Sequence, residues 1–295
     1  MMRTPLFLVA GLWLLASPVK ADEAALPVRV AVIQLDSSKA GDFAAMLSYA
    51  KGAKDRGAEI VVYPEESVFG WLNPNVFYEA EPIPGRSQAA FADIAKQAGI
   101  WVAAGLAERG RQIAADPPTF EVFDSGILID PQGHTALHYR QHNVIKNAFS
   151  ECPIKYGSKG CSYTPGPLSD VEVAKTPFGR VGMLVCADAY TFDPSTLDAL
   201  KTLKPNLVIV PWGVTAGTPA ECGKPGFNAT GFAVDAATHL KSAYVVGANS
   251  VGERPYGRFR PSFYCGTSGY ATPAGKVGGV ADETQDMAIF DIPVH

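Results

Sequence analysis

The chain has 295 residues, of which 47% are hydrophobic, 18% charged and 10% aromatic. That mixture excludes a disordered or collagen-like chain and supplies enough apolar material for a sizeable core. The formal charge is −4 and no basic run occurs, which speaks against a nucleic-acid partner or an anionic membrane surface.

Residues 1–21 read as a secretory signal peptide. Arg3 supplies the positive start, an apolar stretch runs from Leu6 to Ala16, and Val19-Lys20-Ala21 places small residues three and one positions before a cut after Ala21. The apolar stretch falls short of the ~20 residues that span a bilayer, so it reads as a cleaved leader and not an anchor. The mature chain, residues 22–295, is expected to be a single domain, periplasmic or secreted, with no membrane contact after cleavage.

The elements then follow in order. A strand is predicted over 28–35, a helix over 42–56 ending at Gly57, a strand over 60–63, a helix over 87–98 and a strand over 100–106. Next come an apolar strand over 125–129, a turn at Pro131-Gln132-Gly133 and a short strand reaching Tyr139. After a long loop, a strand over 181–186 leads to a helix over 194–203 and a strand over 207–210. A helix over 233–241 precedes a strand over 243–248, and final strands lie near 268–272 and 287–292. Strand–helix alternation along the whole length predicts an α/β layered fold. No repeat, linker or composition break divides it.

Five cysteines are present: Cys152, Cys161, Cys186, Cys222 and Cys265. In an oxidising compartment exposed cysteines tend to pair, and an odd count leaves one over. Cys186 sits in the apolar run VGMLVCADAY, whereas the others sit in Gly/Pro/Ser-rich surroundings. Cys152 and Cys161 flank a short loop and are expected to pair. Cys222 and Cys265 are left for each other, and Cys186 is left as the free thiol.

Chemistry in open α/β sheets collects at strand ends. Three such places carry reactive side chains: Glu65 in VVYPEESVFGW; Gln141, Lys146 and Glu151 in LHYRQHNVIKNAFSE; and Cys186 with Asp188 in GRVGMLVCADAY. A fourth strand end, VIVPWGV, carries no strong nucleophile or base and reads as a pocket wall through Trp212. Zinc is the rival reading for His138 and His142, which are four apart with Cys152 and Cys161 downstream. That spacing converges only on a helix, and export favours a disulfide over a thiolate pair, so no metal and no cofactor are expected. No phosphate-binding glycine loop and no G-x-S-x-G turn occurs.

The ordered motifs resemble the nitrilase superfamily of carbon–nitrogen hydrolases, with its Glu–Lys–Cys triad. Tyr63-Pro64-Glu65 followed by Gly70-Trp71 is similar to the first motif, and Cys186-Ala187-Asp188 after Thr176-Pro177-Phe178-Gly179 to the third. Pro165-Gly166, Pro211-Trp212, Gly247-Ala248-Asn249 and Gly266-Thr267-Ser268 fall in family order. PEESVFGW and DAYTFDP look most like the secreted vanin and biotinidase branch, whose long C-terminal extension this chain lacks. The resemblance implies a four-layer α-β-β-α sandwich, a homodimer, and thiol chemistry on a small-molecule amide.

The second motif departs from the family. Its frame here is Tyr139-Arg140-Gln141-His142-Asn143, so Gln141 stands where the family carries the catalytic lysine. In this reading Cys186 is the nucleophile, Glu65 the base and Gln141 a neutral polarising group. The Ala187 backbone N–H is the oxyanion donor, and Lys146 and Glu151 are possible assistants. Trp71, Trp212 and Tyr190 form the substrate pocket. A neutral amide contributes about 0.5–1.5 kcal/mol where a charged donor contributes about 1.5–3. Three functions therefore stay open: an amidase with an atypical Cys–Glu–Gln site, a non-hydrolytic transferase, condensing enzyme or lyase, and an inactive binding protein.

Overall fold

The computed structural model describes residues 27–152, 161–258, 262–282 and 284–294. The predicted signal segment lies outside the described residues.

Two six-stranded sheets form the centre. The first has the order β15-β1-β2-β3-β4-β5, with β1 Val28–Ile33, β2 Ile60–Val62, β3 Trp101–Ala115, β4 Pro118–Ile129, β5 Thr135–Arg140 and β15 Met287–Ile292. The second has the order β14-β13-β10-β8-β7-β6, with β6 Val173–Thr176, β7 Gly179–Met183, β8 Leu207–Trp212, β10 Tyr244–Asn249, β13 Gly269–Thr272 and β14 Lys276–Val280. A small sheet of β9 Thr215–Ala216, β11 Val251–Glu253 and β12 Phe263–Cys265 caps one end.

The pleat explains the layering. Val28, Val30 and Val32 of β1 pack in the cluster shared with the second sheet, while Ala31 and Ile33 pack with Met46, Ala50, Phe91 and Ile94. Both faces of each central strand are thus buried, which is why these strands read as nearly unbroken apolar runs. Helices α1 Phe43–Asp55 and α3 Arg86–Ala98 supply the outer layer on the first sheet. Helices α4 Ser195–Thr202 and α5 Ala229–Leu240 supply the outer layer on the second. A short helix, α2 Val76–Glu79, joins an aromatic cluster with Trp71, Phe149 and Tyr163. The expected α-β-β-α order is the order observed.

Helix ends follow the expected chemistry. The Asp42 side chain accepts from the Ala45 N–H at 2.9 Å, capping α1. Gly99 closes α3 in the left-handed conformation, φ 62°. Three readings needed correction. The long loop before 181 contains strand β6, the third strand pair is a long β3–β4 hairpin whose arms extend well beyond 106 and 125, and α5 starts at Ala229 instead of 233. Pro117, Pro118 and the polar tip between β3 and β4 hid the hairpin from a reading based on apolar runs.

Candidate active site

Each side chain of the site is placed by a strand end. Beyond β2 the chain leaves the sheet as Tyr63-Pro64-Glu65. Tyr63 N–H still pairs with the Ala103 carbonyl at 2.8 Å, and Gly105 and Pro64 continue the contact. The Glu65 N–H then crosses to the second sheet and donates to the Trp212 carbonyl at 3.2 Å. This stitch sets Glu65 between the two sheets, where it is 2% exposed. Two glycines make room for it. A Cβ on Gly105 would stand 2.6 Å from the Glu65 Cα, and one on Gly213 would stand 1.8 Å from Glu65 Oε2.

Cys186 follows β7 on a tight 3-10 turn, Cys186–Ala189, and holds φ 41°. Glu66 holds φ 50°. Left-handed backbone at non-glycine residues costs energy that the surrounding packing must supply, and two such residues meet here. Cys186 is the one free cysteine, and its thiol faces the Glu65 carboxyl. Burial pushes the thiol up to about 11, against hydrogen bonds from the Gly213 backbone and the Tyr190 hydroxyl. That hydroxyl lies 3.8 Å from Sγ.

Gln141 closes β5 and is held on both sides of its peptide. Its N–H donates to the Asp124 carbonyl and its carbonyl accepts from Gly166, at 2.8 and 2.7 Å. The side chain turns inward to the same place as Glu65. Nε2 donates to Glu65 Oε1 at 3.4 Å and to the Val185 carbonyl at 3.2 Å. Both amide hydrogens are therefore spent on Glu65 and the backbone. Gln141 thus hydrogen-bonds Glu65 directly, beside the turn that carries Cys186.

Asp188 locks this arrangement. Its carboxylate accepts from Tyr139 Oη at 2.7 Å and from the Asn143 N–H at 2.7 Å, and also from the His142 N–H. It clamps the chain after β5 to the turn that carries Cys186. Asn249 does the same for the opposite wall, accepting from the Val214 N–H and donating to the Val214 and Gly266 carbonyls at 2.9–3.0 Å.

Above Cys186 opens a cavity of about 370 Å³. Trp71, Ile145, Tyr190, Val214 and Phe227 form its walls, with Gly213, Gly217 and Gly226 between them. Among the described residues none of its lining side chains is charged. Trp212 stands one layer back, 1% exposed, stacked behind Tyr190 with ring centres 6.3 Å apart. It supports the wall instead of forming it. Lys146 and Glu151 are exposed and are not brought into the site. Glu151 precedes the Cys152–Cys161 disulfide, which turns the chain back to Tyr163. The second disulfide, Cys222–Cys265, ties the wall segment before Phe227 to β12. His138 bonds Glu108 and His142 bonds the Gly166 carbonyl, so the two histidines do not converge. Among the described residues no group of three or more metal-ligating side chains occurs.

Three residues of the centre carried no motif: Glu66, Asp124 and Tyr163. All are buried. Apart from one another, Glu65 Oε2, both carboxylate oxygens of Glu66 and of Asp124, and the Tyr163 hydroxyl have no hydrogen-bond partner among the described residues. Burial first, then Cys186 and Asp124, push Glu65 well above the ordinary carboxylate range. Burial and Asp124 do the same to Glu66. Asp124 rises to about 7 through burial, partly offset by a hydrogen bond with Glu65.

Known proteins share this fold and parts of this sequence. The amidase of Nesterenkonia sp. AN1, from the nitrilase superfamily, shares the fold with a TM-score of 0.67 at 18% identity, covering 91% of each chain. The nitrilase of Pyrococcus abyssi is 23% identical over 254 residues, 83% of this chain and 80% of that one. Rat deaminated glutathione amidase is 28% identical over 164 residues, so the alignment spans 54% of this chain and about half, 48%, of the relative. Dog pantetheinase is 24% identical over 168 residues, 48% of this chain and 30% of its own length. Residues 29–295 match the carbon–nitrogen hydrolase family as a whole, and the chain belongs to that family.

Proposed function

We propose that the protein is an exported, thiol-dependent amidase for small uncharged amides with an apolar acyl part. One observation carries this reading: a single free cysteine on a strained turn faces a buried glutamate and opens onto a cavity whose described lining is aromatic and uncharged. A cavity of about 370 Å³ lies at the small end of ligand pockets, roughly 300–1,000 Å³. A charged substrate group would lose its hydration there without a partner.

Glu65 takes the Sγ proton as sulfur attacks the carbonyl carbon. The carbonyl oxygen becomes an oxyanion held by the Ala187 N–H. The C–N bond breaks, the leaving nitrogen takes the proton back, and an acyl thioester remains on Cys186. Water, deprotonated by Glu65, then releases the acid. Ammonia or amine release from a panel of small amides tests this. Activity that is lost in Cys186→Ala supports the reading, and no turnover of any neutral amide contradicts it.

A transferase variant of the same chemistry would pass the acyl group to an amine or another nucleophile in place of water. Hydroxylamine added to the assay separates the two: hydroxamate in place of acid identifies acyl transfer. Export rests on the 1–21 segment and on two disulfides, which suit an oxidising compartment. A homodimer belongs to this reading, and light scattering of the purified protein checks it.

A further inference from the structure

Glu65 has company on the side away from the cavity. Asp124 reaches it from β4, and Glu66 and Tyr163 close the space behind. Asp124 and Glu66 are 0% exposed and Tyr163 is 3% exposed. Apart from one another, five carboxylate oxygens and one hydroxyl in this space have no hydrogen-bond partner among the described residues. Gln141, which hydrogen-bonds Glu65, is neutral. Among the described residues no cation is a main influence on Glu65, Glu66 or Asp124, and carboxylates in contact and out of water without one cannot all ionise, so they must hold protons between them.

We propose that Asp124 is the terminal proton acceptor for the Cys186 thiol, reached through Glu65. The inference rests on the thiol-nucleophile reading above and adds a residue to it. In the resting site Glu65 carries a proton and donates it toward ionised Asp124. As Sγ attacks, the S–H bond breaks and a new O–H bond forms on Glu65, while the original Glu65 O–H bond breaks and its proton bonds to Asp124. The thiol loses one proton, Asp124 gains one, and Glu65 ends as it began. The reverse passage delivers a proton to the leaving nitrogen. A lysine at position 141 would hold both carboxyls ionised, whereas Gln141 orients Glu65 and leaves the shared proton mobile. Asp124 acts through Glu65 and is a positioning residue.

The electrostatics agree. Burial raises both carboxyls, and the hydrogen bond between them raises Glu65 further while it lowers Asp124, which stays at about 7. The other groups facing Asp124 are Glu66 beside Glu65, Cys186 and Asp188 on the nucleophile turn, and Tyr163 from the segment after Cys161. Asp188 is itself occupied by Tyr139 and two backbone N–H groups.

The test needs no substrate. The rate of Cys186 alkylation by iodoacetamide is followed against pH by intact mass, in the wild type and in Asp124→Asn. The wild type is expected to show an inflection near pH 7, where Asp124 ionises. Asp124→Asn is expected to lose that inflection, react about 10²-fold more slowly at pH 8, and keep only the alkaline rise of the thiol itself. An unshifted inflection in the variant, with or without a uniform slowing, overturns the proposal. If the variant does not fold, carboxyl-¹³C aspartate labelling of the wild type decides. An Asp124 signal that titrates near neutrality and moves on Cys186 alkylation supports the proposal, and titration near the ordinary ~4 overturns it. An inflection that depends on Asp124 in a protein that turns over no amide leaves this inference standing and removes the amidase reading.

Discussion

Neighbouring residues of β4 meet opposite electrostatic settings. Ser125 faces the outer side of the first sheet and donates to Glu108 Oε2 at 2.8 Å. There Glu108, 1% exposed, also bonds His138 at 2.7 Å and Arg140 Nε at 3.0 Å. Burial raises its pKa, but His138 and Arg140 more than reverse this and hold it at about 2. Asp124, one residue earlier, faces inward between the sheets, toward Glu65, Glu66, Tyr163, Cys186 and Asp188. Equal burial thus gives one carboxylate that is always charged and another that shares protons. The first is suited to holding β3, β4 and β5 together. The second is suited to moving protons and makes the fold less stable while doing so.

The largest effect is expected from breaking the inner cluster at its working member. Glu65→Gln should reduce amide turnover by about 10²–10⁴-fold and leave the protein folded, because it removes a buried acid. Steady-state rates together with thermal melts check both halves.

Breaking the outer cluster should do the converse. Glu108→Gln leaves Arg140 without its partner and should cost about 3 kcal/mol of stability, with the pH profile of turnover unmoved. The two clusters also predict opposite pH trends. Glu108 is depressed from 4.5 to about 2, so its contribution is complete above pH 4.5 and is lost as pH falls through about 2. Asp124 is raised from 3.8 to about 7, so its contribution is complete below pH 3.8 and is lost as pH rises through about 7. For these groups stability should peak near pH 4–5, and Asp124→Asn should flatten the decline toward neutrality. Urea unfolding at a series of pH values reads both slopes.

Position 141 sharpens the contrast by giving the inner cluster what the outer one has. Gln141→Lys should lower the acid limb of the activity profile by about 1–3 pH units, because an ammonium favours the ionised carboxyls. It should also raise amidase activity. Gln141→Ala should lower activity by freeing Glu65. Wild-type behaviour in both variants would remove Gln141 from the site. The smallest effect is expected at the cavity wall. Tyr190→Phe removes a hydroxyl 3.8 Å from Sγ and should change turnover only a few-fold.

The contrast between the clusters also marks how far the sequence could be read. Glu65 and Cys186 close apolar runs, and the frame around Tyr139 fixed Gln141, so strand ends and motif order led to all three. Asp124 escaped because the predicted strand began at 125, where the unbroken apolar run starts. The observed strand begins at Pro118 and places Asp124 in its interior. A charged residue inside a buried strand carries no motif, and its meaning depends on what the other sheet puts opposite. Glu66 was overshadowed by its neighbour for the same reason. Trp212 stands one layer behind the cavity wall, since strand periodicity tells which face a residue takes but not what stands in front of it. Cysteine pairing was readable because the odd count and the settings left little choice, and the observed disulfides are Cys152–Cys161 and Cys222–Cys265.

The central claim is that Cys186 carries the acyl group. Rapid mixing of the wild type with a small apolar primary amide, acid quench and peptide mass mapping tests it most directly. The account expects the peptide bearing Cys186 to gain the mass of the acyl group transiently, as ammonia is released, and Cys186→Ala to show neither. Turnover with no acyl group on Cys186, or with the group on another residue, would contradict it.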